Sequence, residues 1–200
     1  IVHGSTSAAD VGTSSGTVSF AASATSVALN VTTVNDTLIE GPETFQVVLG
    51  TPSLAGVVIA NGTGMVTITD NDSLVAVGAA TATIAENGGT LQIPVTRSGA
   101  LGTAASVAWS ATNGTAKAGT DFGTSGVTTI SGSLSLPANA ASANIAIPIL
   151  NNAAITGSRD FTVTLNTATG ATLDANNKTV AVTITEDDKG IAMAAATASA

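Results

Sequence analysis

The sequence predicts an all-β fold of tandem two-sheet β-sandwiches. Three observations carry this: an internal repeat at a constant offset of 116 residues, short runs in which aliphatic residues alternate with period two, and the lack of a sustained 3.6-residue apolar stripe with caps. The repeat comes first, because a missed period misassigns the whole architecture. Gly16–Phe20 aligns with Gly132–Leu136, Phe45–Leu49 with Phe161–Leu165, and Val66–Asp72 with Val182–Asp188. No gap is needed between residues 16 and 72. The offset continues onward, pairing Val75–Val77 with Ile191–Met193 and Ala80–Thr83 with Ala196–Ser199. After small insertions, His3–Val11 aligns with Asn113–Phe122. Residues 1–73 are therefore expected to be a partial repeat lacking its first strands, residues 74–189 a complete repeat, and residues 190–200 the first strand of a following one. The chain reads as a window on a longer array.

Within the complete repeat the strands follow in order. The first is expected near Leu74–Ile84. Then Leu91, Ile93 and Val95 share a face, as do Val107 and Trp109, and Leu134 and Leu136. Ile145, Ile147 and Ile149 form the next set, followed by Phe161, Val163 and Leu165, and by Val180, Val182 and Ile184. This makes about seven strands, the number of a small two-sheet sandwich. Turn-rich segments such as Glu86–Gly89 and Asp174–Asn177 separate them. Trp109 is expected in the core.

Composition narrows the function. The 200 residues are room for one or two domains. Five Lys and Arg residues against 13 acids give a net charge of −8. Such a surface excludes nucleic acid and anionic membrane, both of which need basic partners, and suits divalent cations. The absence of Cys rules out a disulfide framework and Cys zinc sites. No run approaches the roughly 20 apolar residues of a membrane-spanning helix. The chain begins without Met or a secretory leader and is read as processed or as a fragment.

Four segments resemble the Calx-beta family signature: Asn35–Phe45, Val66–Asp72, Gly119–Phe122 and Ala85–Gly88. The resemblance covers nearly the whole chain. It implies tandem immunoglobulin-like (Calx-beta-type) β-sandwiches, one complete with flanking partial repeats, and calcium held by loops at one end of each. The acids agree. Asp10, Asp36, Glu40, Glu43, Asp70, Asp72, Glu86, Asp121, Glu186, Asp187 and Asp188 all fall in the signature loops. Only Asp160 and Asp174 lie outside them. Acids favour turns on conformational grounds alone, but clustered carboxylates repel one another without a cation between them. Calcium, a hard cation, takes six to eight oxygens. These eleven residues are the candidate Ca2+ ligands. The repeats differ, however: Asp36, Glu40 and Glu43 are replaced by Asn152, Thr156 and Arg159. A guanidinium at Arg159 can pair with the remaining acids in place of a cation. Repeat two is thus expected to bind calcium weakly or not at all.

Catalytic readings find no support. Gly12–Gly16 matches G-x-S-x-G, but that motif needs a strand–turn–helix and a His partner, and His3 is the one histidine. No P-loop or H-E-x-x-H occurs. Sequons at Asn30, Asn35, Asn61, Asn113 and Asn177 matter only in a glycosylating host. The expectation is a non-enzymatic structural or adhesive segment, extracellular or on a bacterial cell surface. Its partners would be neighbouring repeats of the same or identical chains, including a homopolymer, with exchange of strand Ile191–Ala200 as one route. The alternatives are a calcium-sensing regulatory module of a transporter and the stalk of a secreted hydrolase.

Overall fold

The structure is a computed structural model that describes residues 1–12 and 15–191. The chain forms two compact units, Ile1–Asp72 and Ser73–Ala200. Among the described residues no helix is long and apolar enough to cross a membrane.

Unit 1 contains β1 (Val2–His3), β2 (Glu43–Val48) and β3 (Thr63–Ile68), hydrogen-bonded in the order β1-β2-β3. Phe45 sits opposite His3 on one side and Val66 on the other. A further bridge joins Val11 to Thr33.

Unit 2 contains β4 (Ser73–Val77), β5 (Thr81–Ala85), β6 (Thr90–Gly99), β7 (Ala105–Asn113), β8 (Ile130–Leu136), β9 (Ser142–Pro148), β10 (Arg159–Thr169), β11 (Thr172–Leu173) and β12 (Thr179–Thr185). They form a five-stranded sheet, β5-β12-β10-β7-β8, and a four-stranded sheet, β11-β4-β6-β9. Strict alternation along β6 buries Leu91, Ile93, Val95 and Arg97 and exposes the residues between them. The inward residues of both sheets join one core, against which Trp109 packs half-buried. Phe122 and Phe161 stack in it with ring centroids 3.9 Å apart.

The segment expected as one first strand, Leu74–Ile84, is two strands in different sheets. β4 pairs antiparallel with β6, whereas β5 pairs parallel with β12. The chain crosses between sheets at Gly78, whose amide bonds Pro94 O at 2.8 Å. A Cβ at Gly78 would lie 3.0 Å from Pro94 Cγ, so any side chain at the crossing would have to displace that ring. Together with the short β11, this raises the strand count above the expected seven.

The internal repeat is a repeat of register. Phe161 sits opposite Asn113 and Val182, as Phe45 sits opposite His3 and Val66. The Phe122–Ile149 bridge repeats Val11–Thr33. The start of β10, the end of β7 and the end of β12 converge, because Arg159 is opposite Ile184 and Phe161 opposite Asn113. That strand end carries the acidic loops. From residue 192 onward, the expected strand 190–200 lies outside the described residues, as do residues 13 and 14 of the Gly12–Gly16 segment.

Candidate metal centre

In unit 1 the loop Asn35–Gly41 is shaped by its own acids. Asp36 Oδ1 accepts the Leu38 amide at 2.8 Å. Asp70 accepts the amides of Glu40 and Asp72 at 2.8 and 2.9 Å, which ties the end of β3 to that loop. Asp10 accepts the Ser7 amide at 2.5 Å. Asp10, Asp36, Glu40, Glu43, Asp70 and Asp72 line one cavity of about 300 Å³, with no Lys or Arg in its lining. Carboxylate oxygens of Asp10, Glu40 and Glu43 lie within 4.8 Å of one another. Two oxygens on one calcium ion stand at most about 5.2 Å apart, so this trio fits one ion.

The electrostatics divide these acids by role. Asp10 is held below the usual carboxylate range, chiefly by its bonds to Ser7. Asp70 is lowered by the amides of Asp72 and Glu40. Glu40 is pushed up, first by desolvation and then by Asp36, Glu43, Asp10 and Asp70. Glu43 is raised by desolvation and then by Asp10, and Asp72 by desolvation and then by Asp70 and Asp36. The first two acids are fixed by backbone donors. The other three are raised first by desolvation, and the like-charge repulsion added to it is what a cation would relieve.

Unit 2 repeats the framework with different charges. Asn152 Oδ1 accepts the Ala154 amide at 2.8 Å, as Asp36 does for Leu38. Glu186 accepts the amides of Thr156 and Asp188 at 2.7 and 3.1 Å, as Asp70 does for Glu40 and Asp72. It also accepts from Gly157 and the Thr156 hydroxyl. These donors, the Thr156 amide foremost, hold its carboxyl down at about 2. Asp121 accepts the Lys117 amide at 2.6 Å, as Asp10 accepts that of Ser7.

Where Glu43 stands in unit 1, Arg159 stands in unit 2. Its Nη1 donates to Asp121 Oδ1 at 2.6 Å, and its Nη2 lies 2.8 Å from Glu86 Oε2. The second contact is an ion pair without hydrogen-bond alignment: Nη2 and Oε2 both lack a hydrogen-bond partner, as do Arg159 Nε and Asp188 Oδ2. Glu86 is fully buried, and its other oxygen accepts from the amide and side chain of Asn152. Arg159 thus pairs with Glu86 and Asp121 and, among the described residues, with none of Glu186, Asp187 or Asp188. Glu86, Glu186 and Asp187 still place oxygens within 4.8 Å of one another. Asp187 also accepts from Asn87 at 2.6 Å.

Of the eleven candidate ligands, the six of unit 1 line one cavity; in unit 2, Glu86, Glu186 and Asp187 approach one another, Asp121 is joined to Glu86 through Arg159, and Asp188 reaches Glu186 through its amide. Sequence reasoning missed Asn152 as the donor that seats Glu86. Its alignment with Asp36 was the available signal. Asp160, outside the signature loops, is engaged by Thr115 through its amide and its carboxylate.

The fold and loops define a class, β-sandwich modules with an acidic end, present here in tandem. The chain belongs to the Calx-beta domain family, which matches residues 5–72 and again 69–189. Among solved structures it is similar to CBD12 from CALX1.2, with 28% identity and a TM-score of 0.52 over 57% of this chain and 46% of that one. It is also similar to the apo-form Calx CBD1 domain, at 27% identity and TM-score 0.50, over 58% of this chain and 99% of that domain. The Calx CBD2 domain, 16% identical with TM-score 0.50, covers 56% of this chain and 86% of its own and shares the fold. The chain thus spans about half the length of the CBD12 structures. No curated protein matches it.

Proposed function

We propose that this chain is a calcium-binding, non-catalytic segment of a tandem extracellular array, in which unit 1 takes the metal and unit 2 carries its own internal cation. One observation supports this most: a single hydrogen-bonded loop framework occurs twice, and the position that holds Glu43 among acids in unit 1 holds Arg159, ion-paired, in unit 2. In unit 1, Asp10, Glu40 and Glu43 would hold the ion, with Asp36, Asp70 and Asp72 around it. The donor set is all oxygen and carries excess negative charge, which suits a hard divalent cation. Calcium supplies charge neutralisation there, and the residues supply position.

Reciprocal substitutions test the assignment. Glu43→Arg should abolish calcium binding in a calorimetric titration of the full chain, and Arg159→Glu should add a site. Binding that survives Glu43→Arg undiminished would refute it. A second reading, a calcium-sensing regulatory module of a transporter, draws on the similarity to the calcium binding domain CBD12 of CALX1.1. Membrane fractionation of the natural protein separates the two.

A further inference from the structure

An edge strand carries unpaired backbone amides and carbonyls, and β proteins blunt such edges with Lys, Pro, bulges or short length. In unit 2 the edge strand β8 has none of these. It runs seven residues, Ile130–Leu136, in unbroken register with β7. Among the described residues it bonds to no other strand. Its sequence, Ile-Ser-Gly-Ser-Leu-Ser-Leu, holds neither Lys nor Pro. The other edges of unit 2 differ: β5 runs straight into Glu86, β9 ends on Pro148, and β11 is two residues long. The surroundings of β8 are uncharged as well. From Ser98 to Ser158, the span that supplies β7, β8 and β9, the charged residues are Lys117 and Asp121 alone, in a chain of net charge −8. Like net charge drives copies of the chain apart, and along this flank that repulsion is least.

At this edge the core is partly uncovered. Ile130, Leu134 and Trp109 pack against it but stay half-buried. The indole of Trp109 lies against Gly132, where a Cβ would come within 3.0 Å of its Cζ2. The strand is also its own complement. Lay β8 antiparallel on β8 of a second copy, with Ser133 on the twofold axis. Ile130 then faces Leu136, Ser131 faces Ser135, and Gly132 faces Leu134 of the second copy. Every Ser meets Ser, and every inward position meets an aliphatic residue or Gly, so both faces stay in phase across the junction. Leu134 of each copy falls on Gly132 of the other, beside Trp109. We propose that β8 is a homotypic docking edge, through which two copies of this chain join their five-stranded sheets into one. Ladder hydrogen bonds supply the affinity, the Ser, Gly and Leu pattern sets the register, and the interface is isologous. Two seven-residue strands make a small interface, so the dimer is a weak one that forms at high concentration.

The chain has no Cys, so single cysteines report the pairing without background. Residues directly opposed in an antiparallel pair hold their Cα atoms about 4.5–5.5 Å apart, inside the span of about 4.4–6.8 Å that disulfides bridge. Under mild oxidation the full-chain Ser133→Cys variant should cross-link to twice the 19.2 kDa chain mass. Ser131→Cys, which faces Ser135 of the second copy, and Thr83→Cys on β5 should not. Without oxidant, sedimentation of the unmodified chain should show a monomer–dimer equilibrium, with Trp109 emission moving to shorter wavelength as the dimer forms. Ser133→Lys sets like charges face to face and should abolish the dimer. Thr83→Lys adds the same charge on β5 and should leave the dimer intact. Should Ser133→Lys fail to fold, the cysteine variants decide alone. An unmodified chain that stays monomeric at every concentration would overturn the proposal. So would cross-linking at Ser131→Cys or Thr83→Cys as fast as at Ser133→Cys, or association that survives Ser133→Lys.

Discussion

At the scale of single residues, one exchange separates the two units. Glu43 and Arg159 occupy the same place in the same framework, and the chemistry around each follows from its charge. Arg159 is largely buried between Glu86 and Asp121, with side-chain exposures of 11%, 0% and 5%. Removing one partner of a buried ion pair costs about 3–5 kcal/mol, because the other charge is left uncompensated. Arg159→Ala should therefore destabilise unit 2 by about that amount in chemical denaturation, and added calcium should restore part of the loss by binding Glu86 and Asp121. Three acids of unit 1 respond to pH in the opposite sense to Glu186 of unit 2. Glu40, Glu43 and Asp72 are raised in the folded state, so the fold holds extra protons. Metal-free stability from these groups is present at low pH and falls as pH rises through their raised values. Calcium needs the ionised forms, so its affinity should weaken as pH drops through the raised values of Glu40 and Glu43. A titration series at stepped pH measures this. Glu186, lowered to about 2, contributes stability that is fully present above 4.5 and lost progressively as pH falls from there through about 2, although the carboxylate itself stays ionised down to about 2. The loop it ties to β12 should therefore keep its amide protection in moderately acidic buffer.

At the scale of elements, alternation made most of unit 2 legible. The residues read as inward, from Leu91 to Ile184, are those that join the core, because period two permits only one buried face per strand. What alternation does not encode is which sheet a strand joins. Leu74–Ile84 keeps its pattern across Gly78 while changing partners from β6 to β12, so one expected strand is two. The site was legible in the same way and to the same depth. The offset placed Arg159 where Glu43 stands, but which acids it would reach depended on side-chain packing, and Asn152 as the donor to Glu86 had no local signal of its own. The Phe122–Phe161 stack lies directly beneath this end of the sandwich, since Asp121 and Asp160 precede the two rings in sequence. Phe161→Ala should cost about 3–5 kcal/mol by the cavity it leaves. It should also loosen the Arg159–Asp121 pair, which amide exchange at Lys117 would report through its bond to Asp121.

At the scale of the whole molecule, the chain carries a net charge of −8, and its acids lie in loops apart from Glu43 and Asp160 at the starts of β2 and β10. Asp70-Asn71-Asp72 leads directly into Ser73, so under the proposed function a cation held by these carboxylates would restrain the backbone that follows them. Calcium should stiffen a tandem array, visible as a scattering profile that changes on chelation. The most direct test of the central claim is a calorimetric calcium titration of the full chain beside its Glu40→Gln/Glu43→Gln and Glu186→Gln variants. The account predicts that the first variant loses binding and the second keeps it. Binding that persists in the first and disappears in the second would place the metal in unit 2 and contradict it.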